Sequence, residues 1–90
     1  SYQEAVSQLK AALLSEPRNI SLTNQLGLAY GKLGNLGTSY LYFAESSIIA
    51  KNLNNAKFYL QKAERYINKA SPEFIKLTEL KNELDRLLDK

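Results

Sequence analysis

The feature that most constrains the fold of this chain is the pattern Thr23-x2-Leu26-Gly27-x2-Tyr30, followed by Gly34. Small and large side chains at these offsets allow one α-helix to lie very close against another. Gly27 has no side chain and therefore admits the bulk of a neighbouring helix. Leu26 and Tyr30 are then expected to fill the space between the two helices. The pattern predicts a packed helical hairpin and carries no catalytic chemistry.

A second spacing extends this pattern along the chain. Small and large residues recur with a period of 34, since Ala5, Leu9 and Ala12 precede Ser39, Phe43 and Ser46 by that distance. Pro17 falls where such a unit would end. The motif and the period together resemble tetratricopeptide (TPR) repeats, in which each 34-residue unit is a helix–turn–helix. The resemblance implies an all-α fold, with antiparallel helix pairs stacked as a short right-handed superhelix forming one domain over residues 1–90.

Apolar periodicity predicts the helices directly. Apolar residues recur every three to four positions, while the two prolines and four glycines lie outside these segments or at their edges. We therefore expect about five helices, near residues 2–15, 20–33, 36–51, 54–70 and 72–89.

Polar residues and glycine mark the expected helix ends. Gly34 is suited to a left-handed cap, and Asn52 and Asn54 are candidate caps for the fourth helix. Ser71-Pro72-Glu73 is expected to start the fifth helix, with a hydroxyl cap and proline at the first helical position.

The third helix fits the repeat in two registers. In the first register it is the second helix of the unit opened by Leu26-Gly27. In the other register Phe43-Ala44 take the Leu-Gly places and Ser47 the Tyr place. A helix that packs on two sides needs apolar residues around most of its circumference, and this one has them. The fifth helix departs from the motif at Thr78 and Lys81, which indicates a closing helix.

Composition excludes several function classes. The chain has no His and no Cys, which removes disulfides, thiol chemistry, imidazole catalysis and almost every transition-metal site. We therefore expect no catalytic residue, metal or cofactor in this chain, and no enzyme activity of its own.

The chain also has no Met, so we expect it to be a piece of a longer protein. No apolar stretch approaches the roughly 20 residues that cross a bilayer, so no membrane span is expected.

Two charged clusters have ordinary explanations. Lys62, Arg65 and Lys69 are expected on one face of the fourth helix, but no aromatic residue is expected among them to stack on bases. With a net charge of only +3, we do not expect nucleic-acid binding. Glu79 and Glu83 share a face, yet such acids usually solvate a helix or pair with bases such as Lys76 and Arg86. The six tyrosines are expected to fill space between helices.

A peptide-binding groove is predicted from the repeat offsets. In stacked repeats the first helices of each unit line a concave surface. Its mostly apolar lining, with a few hydrogen-bonding groups, suits an extended or helical peptide segment of a protein partner. For Leu41, Ile48 and Ile49 the alternative is burial against a neighbouring helix or a second copy. The candidate binding residues are Asn24, Leu28, Leu41, Glu45, Ile48 and Ile75.

Six short segments between Leu26 and Leu84 add a finer pattern: Gly27-Leu28-Ala29-Tyr30, Gly34-Asn35-Leu36-Gly37, Phe43-Ala44-Glu45, Asn54-Asn55-Ala56, Leu60-Gln61-Lys62-Ala63 and Ser71-Pro72-Glu73-Phe74. Together they resemble the carboxyl-terminal TPR domain of BepA-like periplasmic zinc metalloproteases. In that family an amino-terminal protease domain carries a His-Glu-x-x-His helix, and the repeats recruit substrates or outer-membrane assembly partners.

The resemblance implies a non-catalytic substrate- or partner-recruiting domain of a bacterial zinc-dependent peptidase, located in the periplasm or cell envelope. Zinc would then belong to a protease domain outside this chain, and that domain itself could occupy the groove. The competing hypotheses are a general TPR adaptor unconnected to a protease, and a self-assembling scaffold. In the self-assembling scaffold, the apolar third helix and the Leu-rich fifth helix pair with a second copy as a homodimer.

Overall fold

A computed structural model describes residues 1–89. Within this range it contains five helices: α1 (Tyr2–Ser15), α2 (Ile20–Lys32), α3 (Leu36–Ile49), α4 (Leu53–Tyr66) and α5 (Glu73–Leu88). Short connections make consecutive helices neighbours, and α3 is the central element, in contact with α2, α4 and α5. By contrast, the backbone of α1 lies close to that of α2 alone among residues 1–89. The predicted all-α fold of paired helices is confirmed.

Three asparagines fix where the middle helices begin. The Oδ1 atoms of Asn19, Asn35 and Asn52 each accept a hydrogen bond from the backbone N–H three residues later, at 3.1, 3.3 and 3.2 Å. Each bond satisfies a donor that the first turn of a helix leaves without a partner. Of the two caps predicted for α4, Asn52 is therefore the one used.

The α2–α3 and α3–α4 connections are built alike. Gly34 and Lys51 both have left-handed backbones, with φ of 80° and 62°. In each turn the next residue donates its N–H to a carbonyl five positions back, Asn35 to Tyr30 at 2.9 Å and Asn52 to Ser47 at 2.8 Å. This bond closes the last turn of a helix. The left-handed cap predicted at Gly34 is confirmed, and Lys51 adopts the same conformation at the steric cost of a Cβ.

Lys51→Gly is expected to raise the free energy of unfolding by about 1 kcal/mol, because glycine adopts a positive φ without the Cβ clash. Urea denaturation followed by circular dichroism measures the change. Lys51→Ala is the matched control, since it removes the lysine side chain but keeps the Cβ, and we expect it to change stability little. Equal stabilisation by both variants would show that the lysine side chain, and not its backbone, is unfavourable here.

The end of α4 and the start of α5 differ from the prediction. The fourth helix ends at Tyr66 and not near residue 70, since Ile67 is extended and Asn68 Oδ1 accepts the Ala70 N–H at 2.8 Å. The Ser71 hydroxyl does not cap α5 but donates to the Asn68 carbonyl at 2.7 Å. Pro72 precedes the helix as its cap residue, without a side-chain bond. Short polar side chains here bond to nearby backbone in place of continuing or capping a helix.

The core has two parts that meet on α3. Leu41, Ala44 and Ile48 of α3 pack with apolar residues of α4 and α5, while Tyr42 packs with Val6, Leu26 and Ala29 of α1 and α2. Apolar residues around most of the α3 circumference are therefore used, as its two repeat registers predict.

The α2–α3 approach depends on Gly27. A Cβ at this position would lie 2.7 Å from Cε1 of Phe43, closer than side chains allow. The Ser39 hydroxyl donates a buried hydrogen bond of 2.6 Å to the Gly27 carbonyl. Beside this contact Leu26 is buried and Tyr30 stacks on Tyr42, with ring centroids 5.6 Å apart. The predicted role of the motif in close helix packing is confirmed.

Candidate protein-binding groove

An open groove has α5 on one side and α1 with the α1–α2 connection (residues 16–19) on the other, with α3 as its floor; we call it the α1–α5 groove. It has two connected parts of about 310 and 420 Å³, which share Pro17 and Glu45. The first part is lined by Lys10, Leu13, Leu14, Pro17, Tyr42, Glu45 and Lys76. The second is lined by Pro17, Arg18, Glu45, Ile48, Ile49, Glu79, Leu80, Glu83 and Arg86.

The groove exists because the two walls belong to helices that are held differently. Helix α5 packs on both α3 and α4, whereas the α1 backbone approaches only α2 within residues 1–89, and α1 reaches α3 through Val6 in the cluster that contains Tyr42. The carboxyl-terminal end of α1 therefore stands beside α3 without closing on it. Leu14, which is 86% exposed, lies on this wall. An exposed leucine at the edge of a groove is a contact point for an apolar side chain of a ligand.

A cation links the floor of the groove to the α5 wall. Lys76 Nζ donates a hydrogen bond to Glu45 Oε1 at 3.2 Å and lies 3.9 Å from the centroid of the Tyr42 ring. Carboxylate and aromatic face attract the ammonium group together. This three-residue arrangement, partly shielded from solvent, fixes the relative position of α3 and α5 at the centre of the groove.

The α5 wall carries two of the three carboxylates of the second part, Glu79 and Glu83. Arg86 donates to Glu83 at 2.8 Å, and this hydrogen bond lowers the pKa of the Glu83 carboxyl, with Arg86, Lys51 and Arg18 adding electrostatic attraction. Glu79 forms no ion pair within residues 1–89. The expected pairing of Arg86 with this acidic face is observed, while Lys76 pairs with Glu45 instead.

The floor includes a buried phenol. Burial raises the pKa of Tyr42 to about 12, and the nearby Tyr30, Glu45 and Glu73 act in the same direction. Each of these neighbours becomes or stays negative at high pH and so opposes a tyrosinate. The Tyr42 hydroxyl is therefore neutral throughout the ordinary pH range.

Tyr42 predicts a loss of stability at high pH. Its pKa is about 12 in the folded chain and about 10 when unfolded, so its contribution is complete below pH 10 and is lost as the pH rises towards 12. The wild type is expected to lose roughly 2 kcal/mol more than Tyr42→Phe across this interval. Urea denaturation of both proteins at several pH values measures this difference in the free energy of unfolding. Tyr2→Phe, at an exposed tyrosine, is the control and should retain the wild-type pH dependence.

Of the six predicted binding residues, the structure places only two in the lining of the groove. Glu45 lines the groove, and Ile48, only 3% exposed, forms floor beneath it. Leu41 is 0% exposed, so the expectation that it faces a partner is corrected: α4 and α5 cover that side of α3. Ile75 is exposed near the start of α5 but does not line the groove.

Asn24 and Leu28 are exposed on α2, away from the lining of the α1–α5 groove. The repeat offsets place them in one groove with α3, whereas in the structure α3 forms the floor of a groove whose walls are α1 and α5. The wall opposite α5, with Lys10 and Leu14 of α1 and Arg18 of the α1–α2 connection, is absent from the predicted binding residues. The one sequence signal for this wall is Leu14, an apolar residue directly after Leu13 and shortly before Pro17.

Among residues 1–89, no three His, Cys, Asp or Glu side chains are grouped closely enough to share a metal ion. No helix in the described part of the chain has the length and apolar character of a membrane span. The chain matches no protein-family model, no curated protein and no solved structure. Function is therefore inferred from the geometry and chemistry of the groove.

Proposed function

We propose that this chain is a non-catalytic protein-interaction module that binds a helical or extended segment of a partner protein in the α1–α5 groove. The supporting observation is the gap between the walls, which face each other across α3 without closing. The walls are preformed helices, so binding requires little ordering of the module.

The chemistry of the lining favours a polypeptide ligand. Leu13, Leu14 and Ile49 offer apolar contacts along the groove, as an amphipathic helix or an alternating extended segment requires. Arg18 and Glu79 form no ion pair within residues 1–89 and stand on opposite walls. In this proposal they orient the segment through one acidic and one basic side chain.

The family resemblance extends the proposal to a biological setting. The module would be a TPR domain that recruits substrates or partners for a zinc-dependent peptidase of the bacterial cell envelope. Reading the coding sequence upstream of Ser1 tests this extension independently of the groove. A His-Glu-x-x-His segment supports it, and an unrelated domain leaves a general adaptor.

Peptide binding is tested by nuclear magnetic resonance. Peptides selected from a random display library on the purified chain are titrated into the isotope-labelled protein. We expect the largest amide shifts at Leu14, Ile49 and Glu79, with Leu28 unaffected. Shifts confined to α2 and α4, or a selection that yields no binder, would overturn the proposal.

Two exposed leucines provide matched variants. Leu14→Asp is expected to weaken peptide binding at least about tenfold, because an apolar contact in the groove is replaced by a charge. Leu28→Asp makes the same substitution outside the groove and should leave the affinity unchanged. Equal losses in both variants would contradict a site in the groove.

Self-assembly is the competing function, and sedimentation at micromolar concentration separates the two. A strict monomer excludes an obligate assembly. A stable dimer whose formation blocks peptide binding would favour self-assembly through this surface.

A further inference from the structure

Positive charge is concentrated in the middle of the chain. Residues 17–72 contain only two acidic residues, Glu45 and Glu64, and both are paired with lysines of α5, Lys76 at 3.2 Å and Lys81 at 2.9 Å. The modest net charge of the whole chain hides this asymmetry, because seven of the nine acidic residues lie outside this segment, four of them in α5. The basic residues of this segment are Arg18, Lys32, Lys51, Lys57, Lys62, Arg65 and Lys69.

Part of this charge lies among exposed aromatic rings on α4. Phe58, Lys62, Arg65 and Tyr66 occupy one side of the helix at spacings of three and four residues; we call it the basic-aromatic face. Lys62 Nζ lies 5.4 Å from the Phe58 ring centroid. Both rings are more than half exposed. The sequence-based expectation that no aromatic accompanies these bases is corrected, and Lys69 lies beyond the end of α4.

Two leucine side chains lie near the Tyr66 end of the basic-aromatic face. Tyr66 stacks on Tyr40, with centroids 6.0 Å apart, and its Cβ lies near Gly37 at the start of α3. Leu36, which precedes Gly37, is exposed at the same end of the molecule, as is Leu33 in the α2–α3 connection. The cationic groups thus have two half-exposed rings beside them, and two partly exposed leucines lie at the Tyr66 end of α4.

We propose that the basic-aromatic face docks on an anionic lipid surface, with α4 lying along it. Ammonium and guanidinium groups bind lipid phosphates, while aromatic and leucine side chains enter the boundary between headgroups and acyl chains. Single-stranded nucleic acid would use the charges and rings but leave Leu33 and Leu36 without a partner. The mixture of cations with aromatic and aliphatic side chains therefore favours a lipid surface.

Co-sedimentation with vesicles tests the proposal. The chain is expected to bind phosphatidylcholine vesicles that contain phosphatidylglycerol and not vesicles of phosphatidylcholine alone. The double variant Lys62→Glu/Arg65→Glu is expected to lower the partition coefficient at least about tenfold. Phe58→Ser, which keeps every charge, is expected to lower it about tenfold through lost apolar insertion. Circular dichroism confirms that each variant is folded, and Lys62→Gln/Arg65→Gln replaces the charge reversal if that variant does not fold.

Lys10→Glu/Arg18→Glu is the matched control, since it changes the net charge equally but lies on the α1 side of the molecule. It should keep most of the vesicle binding. Equal losses in both double variants, or no binding to anionic vesicles, would overturn the proposal. Binding of a single-stranded oligonucleotide that depends on Lys62 and Arg65, without vesicle binding, would also overturn it and assign the face to nucleic acid.

Discussion

Leu41→Ala is expected to lower the free energy of unfolding by about 3 kcal/mol. Leu41 is fully buried on α3, where it belongs to the cluster that joins α3 to α4 and α5. Its truncation would leave a cavity among close-packed side chains of three helices, which cannot collapse together without moving the α5 wall. Urea denaturation of the purified variant measures the change.

Leu28→Ala is the matched control for this prediction. It makes the same substitution at a leucine that is 60% exposed on α2, and we expect a change within about 0.5 kcal/mol. The sequence pattern assigns Leu28 and Leu41 to one groove, so the pair tests the structural distinction between them. Similar losses from both substitutions would contradict it.

Local features of the fold could be read from the sequence because they depend on neighbouring residues. The start of α4 follows Asn52, one of the two caps expected for it, and Asn19 and Asn35 cap α2 and α3 in the same way. Gly34 marks the turn after α2, and Gly27 marks the close approach of α3. In the α4–α5 connection, Asn68 and Ser71 had alternative backbone partners, and spacing alone could not show which bonds would form.

The candidate groove could not be located in the same way, because it depends on which helices leave a gap. Apolar residues at helical spacing are equally compatible with a buried face and an open one. For Leu41 the outcome depends on α5, which packs on α3 from more than 30 positions further along the chain. For Leu14 the outcome depends on the α1 backbone, which approaches only α2 within residues 1–89.

The buried and exposed side chains of α3 have different roles. Its buried side chains join the two parts of the core, while Glu45 and Ile49 line the groove above them. A variant that loosens the α2–α3 contact would therefore disturb the α1 wall, which is attached to the rest of the fold through α2. The most direct test of this dependence is the glycine at the closest α2–α3 contact.

Gly27→Val is expected to lower the free energy of unfolding by about 3 kcal/mol, because even its first carbon would lie 2.7 Å from the Phe43 ring. The added bulk would also strain the hydrogen bond from Ser39 to the Gly27 carbonyl. Gly31→Val, one turn later on the same helix, is the matched control. Its Cβ would approach only the Ser39 hydroxyl, at 3.3 Å, so a smaller loss is expected.

Replacing Phe43 with a smaller side chain should relieve the clash between its ring and a valine at position 27. Phe43→Leu alone removes packing, but in the Gly27→Val background it also removes Cε1 and Cζ, two of the three ring atoms nearest to the added Cβ. We therefore expect the double variant to be at least about 1 kcal/mol more stable than the sum of the two single effects predicts. Strict additivity would show that Gly27→Val acts through the backbone and not through contact with Phe43, and the steric account of the α2–α3 approach would then be wrong.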